Sequence, residues 1–243
     1  MKKLIAFILI VVIFIGTTAF ATDAYTYKTV YPEDYIPTAN IKTVYLTFDD
    51  GPTKYTTQIL DILAQHDVPA TFFVVGNREH THLMGDIVEM GHSIGLHSYN
   101  HDFDQIYSSK DAFFADLKKI DDIVYDQTGV RSNIIRFPGG SSIKRGASKS
   151  TIAQIKKEIA LRGYQFFDWN CDSRDKMGIK TASGAFSKIK AAAEEVGDFV
   201  VVLMHDTEEI TVEYLPRVIE YFKALDYVFL PISAASPAIH HTW

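Results

Sequence analysis

Thr43-Val44-Tyr45-Leu46-Thr47-Phe48-Asp49-Asp50-Gly51-Pro52 decides how this chain reads. Residues 43–48 are β-branched, aromatic or aliphatic, the composition of a buried strand. Two carboxylates stand where that strand should end. Adjacent strand residues point to opposite faces, so Asp49 and Asp50 can share a pocket only if the chain turns at once. Gly51-Pro52 supplies such a turn. An amphipathic stretch at 56–66 follows, then a second apolar run at 70–75. Strand, helix, strand is the unit of a parallel sheet. An Asp-Gly turn with a helix cap would explain the two acids structurally, so they need company before they mean chemistry.

The alternation continues. Further strands are predicted at 93–96, 134–137, 165–169, 199–204 and 227–231, with helices at 82–90, 110–128, 150–162, 182–196 and 212–225. Phe113, Leu117, Ile120, Ile123 and Val124 recur at three- and four-residue spacing and give helix 110–128 one apolar face. Thr128-Gly129 is its stop signal, and Ser150 can cap the next helix. Seven strands alternating with helices make an α/β fold, either an irregular barrel or an open doubly wound sheet. No linker or repeat interrupts residues 41–233, which read as one catalytic domain.

Polar residues gather at one end of these strands. Strand one ends in Asp49-Asp50, and strand three runs into His97 and His101. Strand four ends at Arg136, Asp172 and Asp175 follow strand five, and strand six ends in His205-Asp206. In a parallel α/β barrel these ends share the face that carries active sites. Each residue alone has a structural explanation; five strand ends together do not. His97 and His101 could meet one cation if the segment between them is a helical turn, and Asp50 would complete a two-His, one-carboxylate set. Arg136 could hold an aspartate ionised and aimed. The glycines after Pro138 let backbone N–H groups approach a substrate oxyanion. His205, oriented by Asp172 or Asp175, could protonate a leaving group. Asp206 is expected to turn away or cap. Tyr99, Phe137 and Trp169 could line a groove or simply pack. His66, His80, His82, His240 and His241 are assigned to surface or packing.

Thr47-Phe48-Asp49-Asp50-Gly51-Pro52, His97-x-x-x-His101, Arg136-x-Pro138-x-Gly140, Asp172-Ser173-Arg174-Asp175 and Leu203-x-His205 resemble, in order, the five motifs of the polysaccharide deacetylases. These are the NodB-homology domains of carbohydrate esterase family 4, and the chain is most similar to their secreted bacterial peptidoglycan N-acetylglucosamine deacetylases. The resemblance implies an irregular (β/α) barrel, often of seven strands. It implies Asp50, His97 and His101 as ligands of a divalent metal, Zn2+ first, with Co2+ or another divalent ion also used. It implies Asp49 as general base positioned by Arg136, and His205 as general acid oriented by Asp175. The Gly139 N–H would complete an oxyanion hole, and Leu203 would line the acetyl pocket. The implied activity is removal of N-acetyl groups from the amino sugars of cell-wall glycan, peptidoglycan or a chitin-like oligomer. An O-acetyl esterase acting on xylan-like glycans would have the same site, and a silent wall-binding domain is a further alternative. One position departs: the family commonly has Trp after the fourth-motif aspartate, and this chain has Lys176.

Composition bounds the rest. With 47% apolar and 22% charged residues, the chain is neither disordered nor fibrous. A net charge of −6 lacks the basic surplus of a nucleic-acid binder. A single cysteine, Cys171, excludes an intrachain disulfide and a Cys-rich zinc site. Lys2-Lys3, an unbroken apolar run at 4–15 and Ala19-Phe20-Ala21 make residues 1–21 a secretory signal peptide, and contact with a membrane is expected only if it stays uncleaved. Residues 22–40 read as a linker or N-terminal strap, and 234–243 as a tail packed along the domain surface. Export without disulfides points to a bacterial envelope, at the cell surface or beyond it. A monomer is expected.

Overall fold

The structure, a computed structural model, describes residues 27–30 and 41–243. The expected leader at 1–21 lies outside the described residues, as does the expected strap at 22–40 apart from 27–30. In chain order the elements are β1 (Tyr27–Val30), β2 (Thr43–Asp49), α1 (Thr56–His66), β3 (Thr71–Val75), α2 (Leu83–Glu89), β4 (Ser93–Ser98), α3 (Phe103–Ile106), α4 (Lys110–Thr128) and β5 (Ile134–Ile135). There follow α5 (Lys149–Leu161), β6 (Gln165–Phe166), β7 (Cys171–Asp172), α6 (Ala182–Val196), β8 (Phe199–His205), α7 (Glu209–Ala224), β9 (Val228–Phe229) and β10 (Ala238–His241). Seven parallel strands run in the order β6-β5-β4-β3-β2-β8-β7 and curl into a half-barrel, with β9 paired to the start of β2.

Strand alternation divides the core in two. Val44, Leu46 and Phe48 face the helices, with Phe72, Val74, Val200, Val202 and Met204 from the neighbouring strands. Tyr45, Phe73, Val201 and Leu203 face inward, where Phe167, Trp169 and Ile239 join them. A period of two thus sets which residues fill the barrel and which seat the helices. Asp49 continues the inward series of Tyr45 and Thr47, and His205 that of Val201 and Leu203. Parallel pairing places Asp49 opposite His205 in register. The two stand side by side on the rim because the sheet puts them there.

Three local expectations change. The strand expected at 165–169 breaks after Phe166, because Arg136 draws the Phe167 and Asp168 carbonyls to its guanidinium. Strand structure resumes at β7, which pairs with β8. Ser148, rather than Ser150, caps α5 by accepting from the Thr151 N–H. The expected surface tail enters the core: Ala238, Ile239 and His241 are buried. There β10 covers the seam between β6 and β7, and the Asp168 N–H donates to the Ile239 carbonyl at 2.9 Å. On its other edge β10 pairs antiparallel with β1, Tyr27 opposite His241.

Candidate active site

Arg136 is fully buried and every contact is specific. Its Nη1 donates to Asp49 Oδ1 at 2.9 Å and to Thr47 Oγ1 at 2.6 Å. Its Nε and Nη2 donate to the Phe167 and Asp168 carbonyls at 2.9 and 3.2 Å. The guanidinium lies 4.2 Å from the Phe73 ring centroid. A buried charge needs a partner and filled hydrogen-bond positions, and this one has both. One oxygen of Asp49 is therefore tied down, leaving Oδ2 toward the site, 3.9 Å from His97 Nε2.

Asp50 follows with φ 78, and this left-handed residue lets consecutive carboxylates serve one rim. Its Oδ1 lies 3.3 Å from His97 Nε2 and 3.0 Å from His101 Nε2. The three ligand atoms lie within 4.8 Å of one another. His97 Nδ1 is 2.8 Å from the Arg136 carbonyl, which only a protonated nitrogen can satisfy, so this bond holds the ring with Nε2 toward the cluster. Oδ1 is buried, and neither imidazole meets it with hydrogen-bond geometry. Burial pushes the Asp50 carboxyl up, and the contacts with His101 and His97 outweigh it, holding the group well below its usual range. Acceptors converging on a common point fit a cation, so these residues suit a divalent metal. The histidines do not meet through a helical turn. His97 belongs to β4, while His101 sits in a loop with φ 56.

His205, at the end of β8, places Nδ1 2.7 Å from Asp175 Oδ1. Asp175 Oδ2 accepts from the His205 N–H at 2.9 Å, Thr211 Oγ1 at 2.9 Å and Tyr214 Oη at 2.8 Å. Burial pushes the Asp175 carboxyl up, but His205 outweighs it and the carboxyl titrates below its ordinary range. Burial opposes the charged imidazole, yet Asp175 outweighs it and lifts His205 to about 9. Asp172, the other candidate orienter, instead pairs with Arg174, its Oδ2 3.3 Å from Nε.

The remaining expected residues fall around this set. Gly139 adopts φ 74, and a Cβ there would come within 2.7 Å of Ile143 and 2.9 Å of Phe103. Leu203 faces inward two residues before His205. Phe137 and Trp169 are buried as packing, while Tyr99 is half-buried. Asp206 caps no helix by a backbone bond. It is buried against Gly51 and accepts from Thr56 Oγ1 at 2.6 Å. Burial raises its carboxyl to about 7. The sequence reading missed Asp116 of α4, which accepts from Ser98 Oγ at 2.7 Å and the Tyr99 N–H at 2.8 Å and so braces the loop carrying His101. An acid beside the apolar Phe113–Leu117 face was the available signal. Arg78 was missed too; its Nε donates to the Asp50 carbonyl at 2.7 Å.

A polysaccharide deacetylase family model matches residues 37–163. The chain belongs to the polysaccharide deacetylase family. It is 31% identical to the putative polysaccharide deacetylase YheN of Bacillus subtilis, over 82% of this chain and 70% of that one. It is 30% identical to a peptidoglycan-N-acetylglucosamine deacetylase of Bacillus cereus, over 77% of this chain and 68% of that one. The crystal structure of the catalytic domain of peptidoglycan N-acetylglucosamine deacetylase from Eubacterium rectale superimposes with a TM-score of 0.80 at 35% identity, covering 85% of this chain and 95% of that one.

Proposed function

We propose that this chain is a metal-dependent peptidoglycan deacetylase, hydrolysing the N-acetyl groups of cell-wall amino sugars to acetate and a free amine. The observation that carries the reading is the pairing of two proton-transfer groups, each locked by its own partner, beside one candidate metal cluster. Asp50, His97 and His101 would hold the ion, Zn2+ in preference, with Co2+ or another divalent ion able to replace it. Such an ion supplies Lewis acidity, polarising a carbonyl and easing deprotonation of water. Asp49, with Oδ1 held by Arg136, takes the proton from the attacking water through Oδ2. The Gly139 N–H stabilises the oxyanion. His205 gives its Nε2 proton to the departing sugar nitrogen, and Asp175 keeps the ring aimed and charged. Leu203 walls the acetyl methyl. Similarity to peptidoglycan deacetylases supports the substrate class.

The catalytic domain is assigned to residues 41–233, with β10 of the following tail packed into its core, and residues 1–21 to an export leader. Among the described residues no helix is long and apolar enough to cross a membrane. Detecting the protein in wall or medium fractions of its host checks the export.

Acetate release from peptidoglycan, chitin oligomers and acetylated xylan tests the activity, with chelator and with added Zn2+ or Co2+. Metal-dependent release from peptidoglycan, lost in Asp50→Ala, is expected. Release from xylan alone would make the protein an O-acetyl esterase. Silence on all three with metal bound would mean a different acyl substrate, and silence without metal binding would leave a wall-binding domain.

A further inference from the structure

Asp50 offers two oxygens and the two histidines use one. Oδ1 faces His97 and His101, while Oδ2 is paired with the Lys176 ammonium. The pair joins a buried carboxylate, 3% exposed, to a lysine 40% exposed. Lys176 is no wandering surface side chain. It directly follows Asp175, whose carboxylate is held by His205, Thr211 and Tyr214. The preceding segment is tied down as well: the Ser173 N–H donates to the Leu203 carbonyl at 3.1 Å, and the Arg174 N–H to Asp172 Oδ1 at 2.8 Å. The sheet that aims the acid also delivers an ammonium to a candidate metal ligand.

We propose that Lys176 is a positioning residue that weakens and tunes cation binding at Asp50, making the ion of this protein readily exchangeable. This rests on the reading of Asp50, His97 and His101 as metal ligands. Lys176 can act on that carboxylate in two opposite ways. It could tighten binding by fixing the ligand's orientation, or loosen it by placing a positive charge beside the cation and drawing electron density from the carboxylate.

Burial and backbone contacts decide between them. The Asp50 main chain is fixed without Lys176: its N–H donates to the Phe73 carbonyl at 3.2 Å and its own carbonyl accepts from Arg78 Nε at 2.7 Å. The carboxylate is itself confined by burial, 3% exposed, so the charge of Lys176 outweighs the orientation it adds. Its charge persists, because like charges at a weakly solvated ligand repel strongly while only the solvent-facing side of the lysine is screened. Asp50 supplies the negative charge of the ligand set, and its carboxylate shares that charge with the Lys176 ammonium.

The test is a competition titration of the full chain with a chromophoric chelator, for Zn2+ and Co2+, comparing wild type with Lys176→Met, Lys176→Arg and Asp50→Ala. Lys176→Met should bind either ion at least about ten-fold more tightly, with a slower off-rate into excess chelator, and Lys176→Arg should match wild type. The gap between wild type and Lys176→Met should narrow at high ionic strength, which a purely structural effect would not do. Equal or weaker binding by Lys176→Met, with binding still abolished in Asp50→Ala, overturns the role of Lys176 and leaves the metal site standing. No binding by wild type or by Lys176→Met overturns both. Circular dichroism of each variant confirms that folded proteins are being compared, and Lys176→Gln repeats the neutralisation with a polar side chain.

Discussion

Buried titrating residues give the site its pH behaviour. His205 is raised to about 9 in the folded protein from an ordinary 6.5. A raised base stabilises the fold fully below its unfolded pKa, and that stabilisation is lost as pH rises through about 9. In chelator-treated protein, NMR should show this imidazole titrating near 9, and Asp175→Asn should bring it to 6.5 or lower. An unchanged titration in that variant would remove Asp175 as the cause. Asp206 acts with the same sign for a different reason. Its carboxyl is raised from 3.8 to about 7, so the folded state binds more protons than the unfolded chain between those values and stability falls as pH rises across them. Asp206→Asn keeps the shape of the protonated acid and should flatten that slope in urea midpoints measured at about pH 4 and about pH 7. A wild-type midpoint already flat over that range would show that the group ionises without penalty.

At the scale of elements, the supports of the site lie on helices and strands that touch no reacting atom. Asp116 reaches from α4 to hold Ser98 and Tyr99, and the His101 N–H donates to Ser98 Oγ at 2.9 Å. Asp116→Ala should loosen that loop and weaken metal binding by about 10–100-fold, read by the same chelator competition, with little change in overall fold. Equal affinity would mean that β4 alone positions His101. The helices were the legible part of this layer: 56–66, 110–128 and 182–196 match α1, α4 and α6 end to end, because all three carry an apolar stripe and α4 and α6 add a Ser109 or Thr181 cap and a Gly129 or Gly197 stop. Short strands were less legible. β5, β6 and β7 have two residues each, too few to show a period of two. Their geometry is set by Arg136 and by pairing with distant strands. The site residues could be found by position, at strand ends, and by resemblance. Their braces were harder to find: Asp116 showed only as an acid beside an apolar helix face, and Thr211 and Tyr214 act through contacts that no local spacing encodes. The His97–His101 spacing was legible as a pair but not as geometry, because a strand end followed by a left-handed residue does the work assigned to a helical turn.

At the scale of the molecule, metal and fold are linked. A ligand that binds only the folded state adds RT ln(1 + [L]/Kd) to stability, about 2.7 kcal/mol at one hundred times Kd. Zn2+ should raise the Tm of the wild-type protein and chelator lower it, while Asp50→Ala should not respond. A wild-type Tm indifferent to both would argue against the cluster as a metal site. The pairing of β2 with β8 has a consequence for synthesis. Thr47 Oγ1 donates to the Val202 carbonyl, 155 residues further along the chain. Closing so long a loop is slow compared with forming local contacts. The ribosome releases Asp49, Asp50, His97 and His101 early, and Asp175 and His205 only near the end. A nascent chain therefore carries its full set of candidate metal ligands long before it owns the proposed proton donor, and a truncated product ending ahead of His205 is expected to lack the hydrolysis.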